Sequence, residues 1–395
     1  MKAAGKPDSK RRLRLGRAAA AASLILLALT LLAGAHAYLA KRLILDPGIT
    51  GLPQQILLGG IAVAFAALLI GPILERRLRN PWRRRLVLPS LVWMGGLWIT
   101  LNALFVSEAV LWLTGAASSS PDPSAPAAVR AAAVVAVSIS AIVLGMRSAL
   151  AVPAVRKVEV QLARWPRALD GFRIAQISDI HIGPILDRRF AAGVVDRVNE
   201  LGADLVAVTG DLVDGSVSLL REEVAPFAGL SARYGVWFVI GNHDAYSGDE
   251  AWAAHAAELG MQPLRNERVA IGGEEGFDLA GVDDYRGNWV HGTKHDMARA
   301  LEGRDPGRAV VLLAHDPSSF AQASRAGVDL QLSGHTHGGQ IWPFGFLVRL
   351  AVPWVAGLHQ RGGSQLYVSR GTGFWGPPIR LFAPAEITEI TIRPA

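Results

Sequence analysis

The sequence predicts a membrane-anchored α/β protein, in which about four transmembrane helices precede a globular half of alternating strands and helices. Two observations carry this prediction. The chain is 51% hydrophobic with a mean hydropathy of +0.28, and its long apolar runs are concentrated in roughly the first 150 residues. From about residue 158 onward, short β-forming runs alternate with segments of helical spacing, a pattern typical of a layered α/β fold.

Four apolar segments have the length of roughly 20 residues that a bilayer-spanning helix requires. They run over about 18–39, 55–74, 88–113 and 131–150. Basic residues cluster before the first segment and between the second and third, so the positive-inside rule places both regions in the cytoplasm. An even number of spans returns the chain to the cytoplasm. We therefore expect a transmembrane anchor over 1–152 and a cytoplasmic globular domain over 153–395.

One alternative for the amino terminus stays open. Lys10-Arg11-Arg12-Leu13-Arg14-Leu15 is similar to a twin-arginine export signal, and Ala35-His36-Ala37 is similar to a small-residue cleavage site. Cleavage there, or a miscounted span, would place the globular domain on the outer side of the membrane. The basic loop between the second and third segments supports the cytoplasmic prediction independently.

The charge and cysteine content exclude some classes of site. A net charge of +7 is typical of proteins with acidic partners such as nucleic acid or anionic lipid. Many of the basic residues flank the apolar segments, however, and no aromatic-plus-basic surface typical of nucleic-acid binding is recognised, so no nucleic-acid partner is expected. The chain has no cysteine, which excludes disulfides and thiolate metal ligands.

The globular half is predicted to contain eight strands and three helices. The strands run over 172–177, 205–208, 236–240, 277–282, 309–313, 330–332, 366–368 and 387–392, and the helices over 186–201, 219–231 and 249–259. Layered α/β folds collect their functional loops at the carboxyl ends of strands. Residues that follow different strands are therefore expected to meet at one rim.

Five motifs rich in histidine and aspartate follow directly after predicted strands. They are Asp179-Ile180-His181, Gly210-Asp211-Leu212-Val213-Asp214, Gly241-Asn242-His243-Asp244, Ala314-His315-Asp316 and Gly334-His335-Thr336-His337-Gly338-Gly339. A single histidine is usually a hydrogen-bonded core residue, but packing gives no reason to place a whole set after strands. Carboxylate, imidazole and amide oxygen together suit divalent ions such as Mn, Fe or Zn. Alternate residues of an extended backbone point the same way, so Asp179 and His181 are expected to reach one ion.

In this order the five motifs resemble the dinuclear metal site of calcineurin-like metallophosphoesterases, and the resemblance covers roughly residues 173–393. It implies a four-layer αββα sandwich and a metal-dependent phosphoric ester hydrolase, in which a hydroxide bridging two divalent ions (Mn, Fe or Zn) attacks phosphorus. The ligands that the resemblance implies are Asp179, His181, Asp211 and His337 for the first ion, and Asp211, Asn242, His315 and His335 for the second. It further implies that His243 is catalytic, that Asp244 orients the His243 imidazole, and that Asp214 supports the ligands from behind.

The carboxyl-terminal region carries a narrower resemblance. Bacterial membrane-linked metallophosphoesterases are similar in the segments Ser369-Arg370-Gly371-Thr372-Gly373-Phe374-Trp375-Gly376, Pro377-Pro378-Ile379-Arg380 and Ala385-Glu386-Ile387-Thr388. That subfamily is related to phosphodiesterases and to a UDP-2,3-diacylglucosamine pyrophosphatase of lipid A synthesis. The resemblance implies cleavage of a phosphodiester or pyrophosphate at the bacterial inner (plasma) membrane, with a lipid-linked substrate as a hypothesis.

An apolar segment follows the last motif and includes Trp342 and Phe344. One hypothesis places these side chains at the membrane surface as a lipid contact, and the alternative is a buried flap that packs on the core. Two other functions stay open for the whole protein. One is a nucleotide phosphodiesterase, and the other is a non-catalytic membrane receptor or scaffold with a phosphatase-like domain. The complete set of ligands argues against the scaffold.

Several polar residues fall outside the five motifs. The acidic pair Asp283-Asp284 is expected in a solvated turn. Surface or loop positions are predicted for His255, His291, His295 and His359.

Overall fold

The computed structural model describes residues 9–77, 82–114, 124–284 and 295–395. The chain divides into two compact units. The first comprises Met1–Arg77 and Gly96–Ser140, and the second comprises Leu78–Gly95 and Ala141–Ala395. The described part of the first unit is helical, whereas the second contains the strands.

Four long helices precede the strands, as the sequence predicts. They are α1 (Ser9–Ala40), which continues into a π-helical turn at Lys41–Leu45, α2 (Gly51–Arg77), α3 (Trp82–Thr114) and α4 (Ser124–Leu150). Each is long and apolar enough to cross a membrane over the ranges Ala20–Leu45, Gly51–Gly71, Arg84–Thr114 and Ala125–Leu150. Many of their large apolar side chains are exposed, as expected of helices that face lipid.

A network of ion pairs joins three segments of the first unit. Glu108 on α3 forms an ion pair with Nε of Arg42 at 3.1 Å and accepts a hydrogen bond from Nη1 of Arg130 on α4 at 3.0 Å. Arg42 also pairs with Asp46 at 2.9 Å. Charges within membrane segments are costly unless they are paired, so the network stabilises the packing of these segments. Arg42 and Asp46 are four residues apart, but Glu108 and Arg130 are distant from them along the chain, so no local sequence pattern indicates the whole network.

Twelve strands of the second unit form two six-stranded sheets within the described residues. The strands are β1 (Val155–Leu162), β2 (Phe172–Ile177), β3 (Leu205–Val208), β4 (Val236–Phe238), β5 (Gln262–Pro263), β6 (Glu267–Ile271), β7 (Phe277–Gly281), β8 (Val310–Leu313), β9 (Leu330–Ser333), β10 (Gly357–Arg361), β11 (Ser364–Val368) and β12 (Ile387–Pro394). The first sheet has the order β1-β12-β2-β3-β4-β5, and the second has the order β10-β11-β9-β8-β7-β6. Strands β2 to β5 are parallel to one another, and so are β7, β8, β9 and β11.

Helices cover the outer face of each sheet, and the inner faces pack together. The remaining helices are α5 (Arg188–Glu200), α6 (Val217–Val224), α7 (Asn242–Glu258), α8 (Met297–Ala300), α9 (Phe320–Arg325) and α10 (Gly345–Ala351). The core between the sheets contains Leu205, Leu279 and Leu332. Helices α5 to α7 lie on the first sheet, and α8 and α9 lie on the second. The predicted four-layer αββα sandwich is confirmed.

The local sequence explains where α5 and β3 form. Asp187 caps α5 because its carboxylate accepts hydrogen bonds from the backbone N–H of Arg189 and Phe190. Phe190, Val194 and Val198 lie at helical spacing and are buried. All four residues of β3 are buried, which is typical of a central parallel strand that is covered on both faces.

The starts and ends of some elements differ from the prediction. Strands β1, β5, β6 and β10 were not predicted, because they lie at the sheet edges and carry exposed polar residues. The helix predicted over 219–231 ends at Val224 and gives way to a 3-10 turn at Ala225–Gly229. Pro226 in that turn has no backbone N–H and cannot continue an α-helix.

Parts of two apolar helices belong to the second unit. These parts are residues 82–95 of α3 and 141–150 of α4. Ala149 on α4 is buried in the core beneath the first sheet, and Leu88, Leu91 and Val152 pack against that core. The sandwich is therefore packed directly on segments of α3 and α4, whereas the sequence boundary was drawn at 152.

Candidate metal centre

Five strands of the two sheets deliver the motifs to one place. Each motif begins one to three residues beyond the end of its strand, and the strands are β2, β3, β4, β8 and β9. Ligand atoms of Asp179, His181 and His337 lie within 4.8 Å of one another, and so do those of Asp211, His315 and His335. The structure thus brings these predicted ligands together, and Asn242 joins them through His315.

The first group of donors is closely spaced. Nε2 of His181 lies 3.1 Å from Nε2 of His337. Nε2 of His337 lies 3.5 Å from Oδ1 of Asp179, and Nε2 of His181 lies 3.7 Å from Oδ2 of Asp211. Two ligands at about 2.1 Å from one ion and at right angles to each other would lie about 3 Å apart. The spacing of this group fits a shared ion.

The second group has the same spacing. Nε2 of His315 lies 3.1 Å from Oδ2 of Asp211, 3.2 Å from Oδ1 of Asn242 and 3.2 Å from Nδ1 of His335. Imidazole, carboxylate and amide oxygen are ligands that Mn, Fe and Zn accept. The donor set therefore fits a second divalent ion, and Oδ2 of Asp211 faces both groups.

The backbone at the ligands is not extended. The φ angles of Asp179 and His181 are both 52°, that of Asp211 is 53°, that of His335 is 73° and that of His337 is 51°. The expectation that 179–181 is an extended segment is therefore wrong, although both side chains do reach the same group. The left-handed region costs a residue other than glycine about 1–3 kcal/mol. Surrounding contacts must hold these angles.

Hydrogen bonds from other motifs hold the carboxylates. The backbone N–H of His335 donates to both oxygens of Asp179, at 2.8 and 3.0 Å. The backbone N–H of His243 donates to Oδ1 of Asp211 at 2.7 Å. A Cβ at Gly241 would collide with the carboxylate and backbone N of Asp211, so only glycine fits there.

Hydrogen bonds to Nδ1 orient two of the imidazoles. Nδ1 of His315 donates to the carbonyl of Thr209 at 2.9 Å. Nδ1 of His181 donates to Oδ1 of Asp214 at 2.9 Å. In both rings Nε2 then faces the donor group, and it is the atom that a ligand histidine offers to an ion. Burial opposes protonation of His315, but the charge of Asp211 and the hydrogen bond to it raise the pKa of His315 well above its usual value. Binding of an ion there would therefore release a proton.

Burial and neighbouring charge perturb the ionisation of the cluster. Burial disfavours the charged form of Asp211, but the imidazoles of His315 and His243 more than offset it and hold the pKa of Asp211 well below its usual value. Burial, with the charge of His181 and Arg380, lowers the pKa of His337 well below its usual value. His337 is therefore neutral and Asp211 is ionised at neutral pH, as ligands must be.

His243 lies at the mouth of the cluster and differs from the ligands in its charge. Its Nδ1 donates to Oδ1 of Asp214 at 2.7 Å. Burial opposes protonation, but the charge of Asp211 and the bond to Asp214 raise the pKa of His243 to about 9. The rings of Tyr246 and Trp375 flank it, with centroids at 5.6 and 6.3 Å. His243 also lies within ligand reach of His181 and Asp211, so its non-ligand role remains a prediction.

Among the described residues, the Asp244 carboxylate forms no hydrogen bond with the His243 imidazole, contrary to the prediction. Its partners are backbone N–H groups. Asp244 lies in the first turn of α7, and its carboxylate accepts from the backbone N–H groups of Asp211, Leu212, Val213 and Gly241, at 2.8 to 3.2 Å. The side chain of a residue in the first turn of a helix points back towards the preceding chain. The Asp244 carboxylate therefore reaches the loop that carries Asp211 and fixes its backbone. Asp214 occupies the position beside the imidazole that Asp244 was expected to have.

Trp342 and Phe344 lie at the surface, with exposed fractions of 54% and 39%. Phe346 and Leu350 nearby are also exposed. Trp354, by contrast, packs edge-on against Phe320 at 5.3 Å. The buried-flap alternative therefore does not hold for Trp342 and Phe344.

Some polar residues outside the motifs are placed differently from expectation. His255 was predicted to lie at the surface but is buried on α7, where Nδ1 pairs with Glu258. Asp283 and Asp284 were expected in a solvated turn but are buried, and Asp283 binds the guanidinium of Arg265. His295 and His359 lie in a loop and on an edge strand. His291 lies outside the described residues.

Sequence reasoning assigned no role to Arg380, although it belongs to the quoted carboxyl-terminal motif. Its side chain is buried, and its Nη2 lies 3.1 Å from Nδ1 of His337. The signal that could have found it is an arginine in an otherwise apolar run, Pro377-Pro378-Ile379-Arg380-Leu381-Phe382. Buried charges of this kind are rare without a partner or a function.

Comparisons with known proteins agree with this geometry. The family model described as calcineurin-like phosphoesterase matches residues 172–339. A Bos taurus transmembrane protein with metallophosphoesterase domain is 39% identical over 301 residues, covering 73% of this chain and 68% of that protein. An uncharacterized metallophosphoesterase of Helicobacter pylori is 36% identical over 252 residues, covering 63% of this chain and 66% of that protein. Among solved structures, a dimetal phosphatase from Danio rerio has a TM-score of 0.35 and 12% identity, covering 57% of this chain and 100% of that one.

The matched regions cover about two thirds of the length of the bovine and Helicobacter pylori proteins. The 73% of this chain that matches the bovine protein is more than residues 153–395 can supply, so that match reaches into the apolar helices. The two donor groups, the αββα sandwich, the family-model match and the similarity to the bovine protein lead to one conclusion. The chain belongs to the calcineurin-like metallophosphoesterase family, and its sandwich is a metal-dependent phosphoester hydrolase domain.

Proposed function

We propose that this protein is a membrane-anchored phosphohydrolase that cleaves a phosphodiester or pyrophosphate bond with two divalent ions. The observation that carries the proposal is the position of Asp211, whose Oδ2 lies 3.7 Å from Nε2 of His181 and 3.1 Å from Nε2 of His315. One carboxylate can thus serve both ions. The proposed ligands are Asp179, His181, Asp211 and His337 for the first ion, and Asp211, Asn242, His315 and His335 for the second.

When bound, two such ions would neutralise the phosphoryl oxygens and supply hydroxide at neutral pH. Mn, Fe and Zn all suit the donor set. The chain itself contributes position and charge. Hydrogen bonds at Nδ1 fix His181 and His315 before any ion arrives. Pre-set ligands lower the reorganisation that binding would otherwise require.

We assign His243 as the proton donor to the leaving oxygen. Its Nδ1 is held by Asp214, so its other ring nitrogen is available to substrate. In the metal-free protein burial opposes the charge, but Asp211 and Asp214 raise the pKa of His243 to about 9, which favours a protonated imidazole. A charged donor both stabilises negative charge that develops on oxygen and protonates a poor leaving group.

We propose an amphiphilic substrate whose phosphate reaches the site from the membrane surface. Trp342, Phe344, Phe346 and Leu350 form an exposed apolar surface directly after the ligand His337. The same unit packs on segments of α3 and α4 that are apolar enough to cross a membrane. Exposed aromatic and aliphatic side chains beside a membrane segment favour insertion into the interface.

The anchor and its orientation follow from the same proposal. Residues 1–152 anchor the catalytic domain, 153–395, in a bacterial inner membrane, and the positive-inside rule places that domain in the cytoplasm. A substrate similar to UDP-2,3-diacylglucosamine has the required chemistry, because it joins a pyrophosphate to acyl chains. The resemblance of the segment Ser369–Arg380 to the membrane-linked subfamily supports this choice.

The first experiment measures hydrolysis by purified full-length protein in detergent with added Mn²⁺. The substrates are bis-p-nitrophenyl phosphate and UDP-2,3-diacylglucosamine, and the control is Asp211→Asn, which preserves side-chain size and removes the shared charge. Loss of both activities in the variant supports the proposal. Activity on the chromogenic diester alone removes the lipid substrate and retains the phosphodiesterase. A protein that binds two ions and cleaves neither would contradict the enzymatic proposal.

A second experiment tests the apolar surface. We expect Trp342→Ser with Phe344→Ser to reduce the stimulation of turnover by liposomes several-fold, while hydrolysis of the soluble diester is unchanged. Leu219→Ser is the matched control, because Leu219 is also an exposed apolar residue of the same unit but lies on α6. Equal losses on both substrates would show that the aromatic residues support the fold instead of contacting lipid.

A further inference from the structure

Two helix glycines enclose one side chain of the sandwich. A Cβ at Gly95 on α3 would lie 2.8 Å from Cδ1 of Ile379, and a Cβ at Gly145 on α4 would lie 2.5 Å from Cγ2 of the same residue. The backbone N–H of Arg380 donates to the carbonyl of Gly145 at 3.0 Å. A Cβ at either glycine would displace the Ile379 side chain, and one at Gly145 would also approach the Arg380 carbonyl oxygen at 3.3 Å.

Arg380 connects this contact to the metal centre. Its guanidinium is 2% exposed and donates to the carbonyls of Gly373 at 2.8 Å, Ala383 at 3.0 Å and Arg370 at 2.7 Å. It also donates to the carbonyl of His337 at 3.2 Å, and Nη2 lies 3.1 Å from Nδ1 of the same imidazole. The guanidinium thus fixes the backbone carbonyl of a proposed ligand and lies against its ring.

The contact is made within the apolar part of the helices. Gly145 lies five residues before the end of α4 at Leu150, which corresponds to about 7 Å along the helix axis. Both glycines lie inside the ranges that are apolar enough to cross a membrane, Arg84–Thr114 and Ala125–Leu150. The segment that carries Arg380 therefore rests on the apolar part of both helices, within the second unit.

We propose that α3 and α4 position the metal ligand His337 through Ile379 and Arg380, so that the affinity of the centre for metal depends on the seating of these helices. Arg380 is a positioning residue, since it acts through His337 and not on substrate. The inference rests on the proposed function, because it assumes that His337 is a ligand. It goes further in giving the apolar helices a role in assembling the site in addition to anchoring it.

The experiment compares alanine at Gly145 with alanine at Gly60 in the full-length protein in detergent micelles. Gly60 lies on α2, and a Cβ there meets nothing within 4 Å. The probe is Mn²⁺ alone, with the bound ion measured by equilibrium dialysis and elemental analysis, beside the melting temperature. We expect Gly145→Ala to bind Mn²⁺ about tenfold more weakly, the lower end of the 10–100-fold effect of losing a residue that orients a ligand. Gly60→Ala should bind like the parent protein.

Substitutions at Ile379 make the test specific to the proposed contact. Leucine at 379 lacks the Cγ2 that meets Gly145, whereas valine retains Cγ2 and lacks the Cδ1 that meets Gly95. We expect Ile379→Leu to restore Mn²⁺ binding to Gly145→Ala, and Ile379→Val to restore it in part to Gly95→Ala. Ile379→Val should not restore Mn²⁺ binding to Gly145→Ala, and Ile379→Leu should not restore it to Gly95→Ala. Recovery that is equal in all four combinations would overturn the proposal.

Arg380→Lys provides an independent measurement, because lysine retains the charge but cannot reach as many carbonyl groups. We expect weaker Mn²⁺ binding with little change in KM for the soluble diester. If this variant does not fold, the Gly145 and Gly95 variants still test the proposed link between the helices and His337. Equal Mn²⁺ binding by Gly145→Ala and Gly60→Ala would refute the link and leave the proposed hydrolase intact. Failure of the parent protein to bind Mn²⁺ would instead refute the proposed function.

Discussion

Replacing Asp214 by asparagine tests whether one carboxylate serves two imidazoles with different roles. Oδ1 of Asp214 accepts from Nδ1 of His243 at 2.7 Å and from Nδ1 of His181 at 2.9 Å. Asparagine preserves the shape but removes the charge that stabilises both. Burial opposes protonation of His243, and Asp211 and Asp214 together raise its pKa from 6.5 to about 9. That difference is equivalent to about 3 kcal/mol.

Without this carboxylate, His243 loses the bond that orients its imidazole and part of the stabilisation of its charge, which we expect to lower the rate about tenfold. The lost support of His181 adds to this, so we expect Asp214→Asn to lower kcat by about 10–100-fold. The loss should be largest for alkyl phosphodiesters, which have poor leaving groups, and smallest for the p-nitrophenyl ester, since a proton donor matters least there. His243→Ala should retain metal and lose about 100-fold or more on the alkyl esters.

The double variant decides whether Asp214 acts through His243. On the alkyl ester, Asp214→Asn should reduce the rate of His243→Ala much less than it reduces the rate of the parent protein, because groups that act as a unit are not additive. Asp244→Asn is the comparison, since the Asp244 carboxylate binds backbone N–H groups and not the imidazole. It should lower thermal stability without selectivity for leaving groups. Full additivity at Asp214, or leaving-group selectivity at Asp244, would refute this reasoning.

Three further predictions concern the metal and the protonation of the site. Gly241→Ala should reduce bound Mn²⁺ at least tenfold, because its Cβ collides with Asp211, whereas Gly363→Ala, which meets nothing within 4 Å, should not. Chelation should abolish hydrolysis and added Mn²⁺ should restore it; activity that persists in chelator would contradict metal dependence. In the metal-free protein, NMR should show His243 titrating near pH 9. Since its folded pKa is raised, its contribution to stability is complete below about pH 6.5 and is lost as pH rises through 9, a slope that His243→Ala should lack.

The parts of the fold that position the site were predictable from the sequence, because buried strands have a simple pattern. β2 and β3 were predicted with their observed ends, since both are short apolar runs that stop at a polar motif. The edge strands β1 and β10 were not predicted. Their residues face solvent in part, so their sequences carry charges that resemble loops.

Two features of the site could not be predicted, because they depend on geometry between distant residues. Asp244 follows His243 directly in sequence, yet the helix turns its carboxylate towards the Asp211 loop. Asp214 lies 29 residues before His243 and becomes its partner. The contact between Arg380 and His337, which lies 43 residues earlier, could likewise not be predicted from the sequence. Sequence motifs therefore indicate which residues belong to a site, but they do not indicate which side chains form hydrogen bonds with each other.

The hydrogen bonds between motifs explain why the set is informative when each motif alone is not. The His335 backbone N–H binds the Asp179 carboxylate, that of His243 binds Asp211, and that of Asp211 binds Asp244. Three of these residues, Asp179, His335 and Asp211, have left-handed backbones that cost about 1–3 kcal/mol each. No single motif could maintain such angles by itself, because the compensating bond comes from another strand end. Loss of one motif therefore removes the hydrogen bonds that hold the backbone of the others. For this reason the motifs are informative as a complete set.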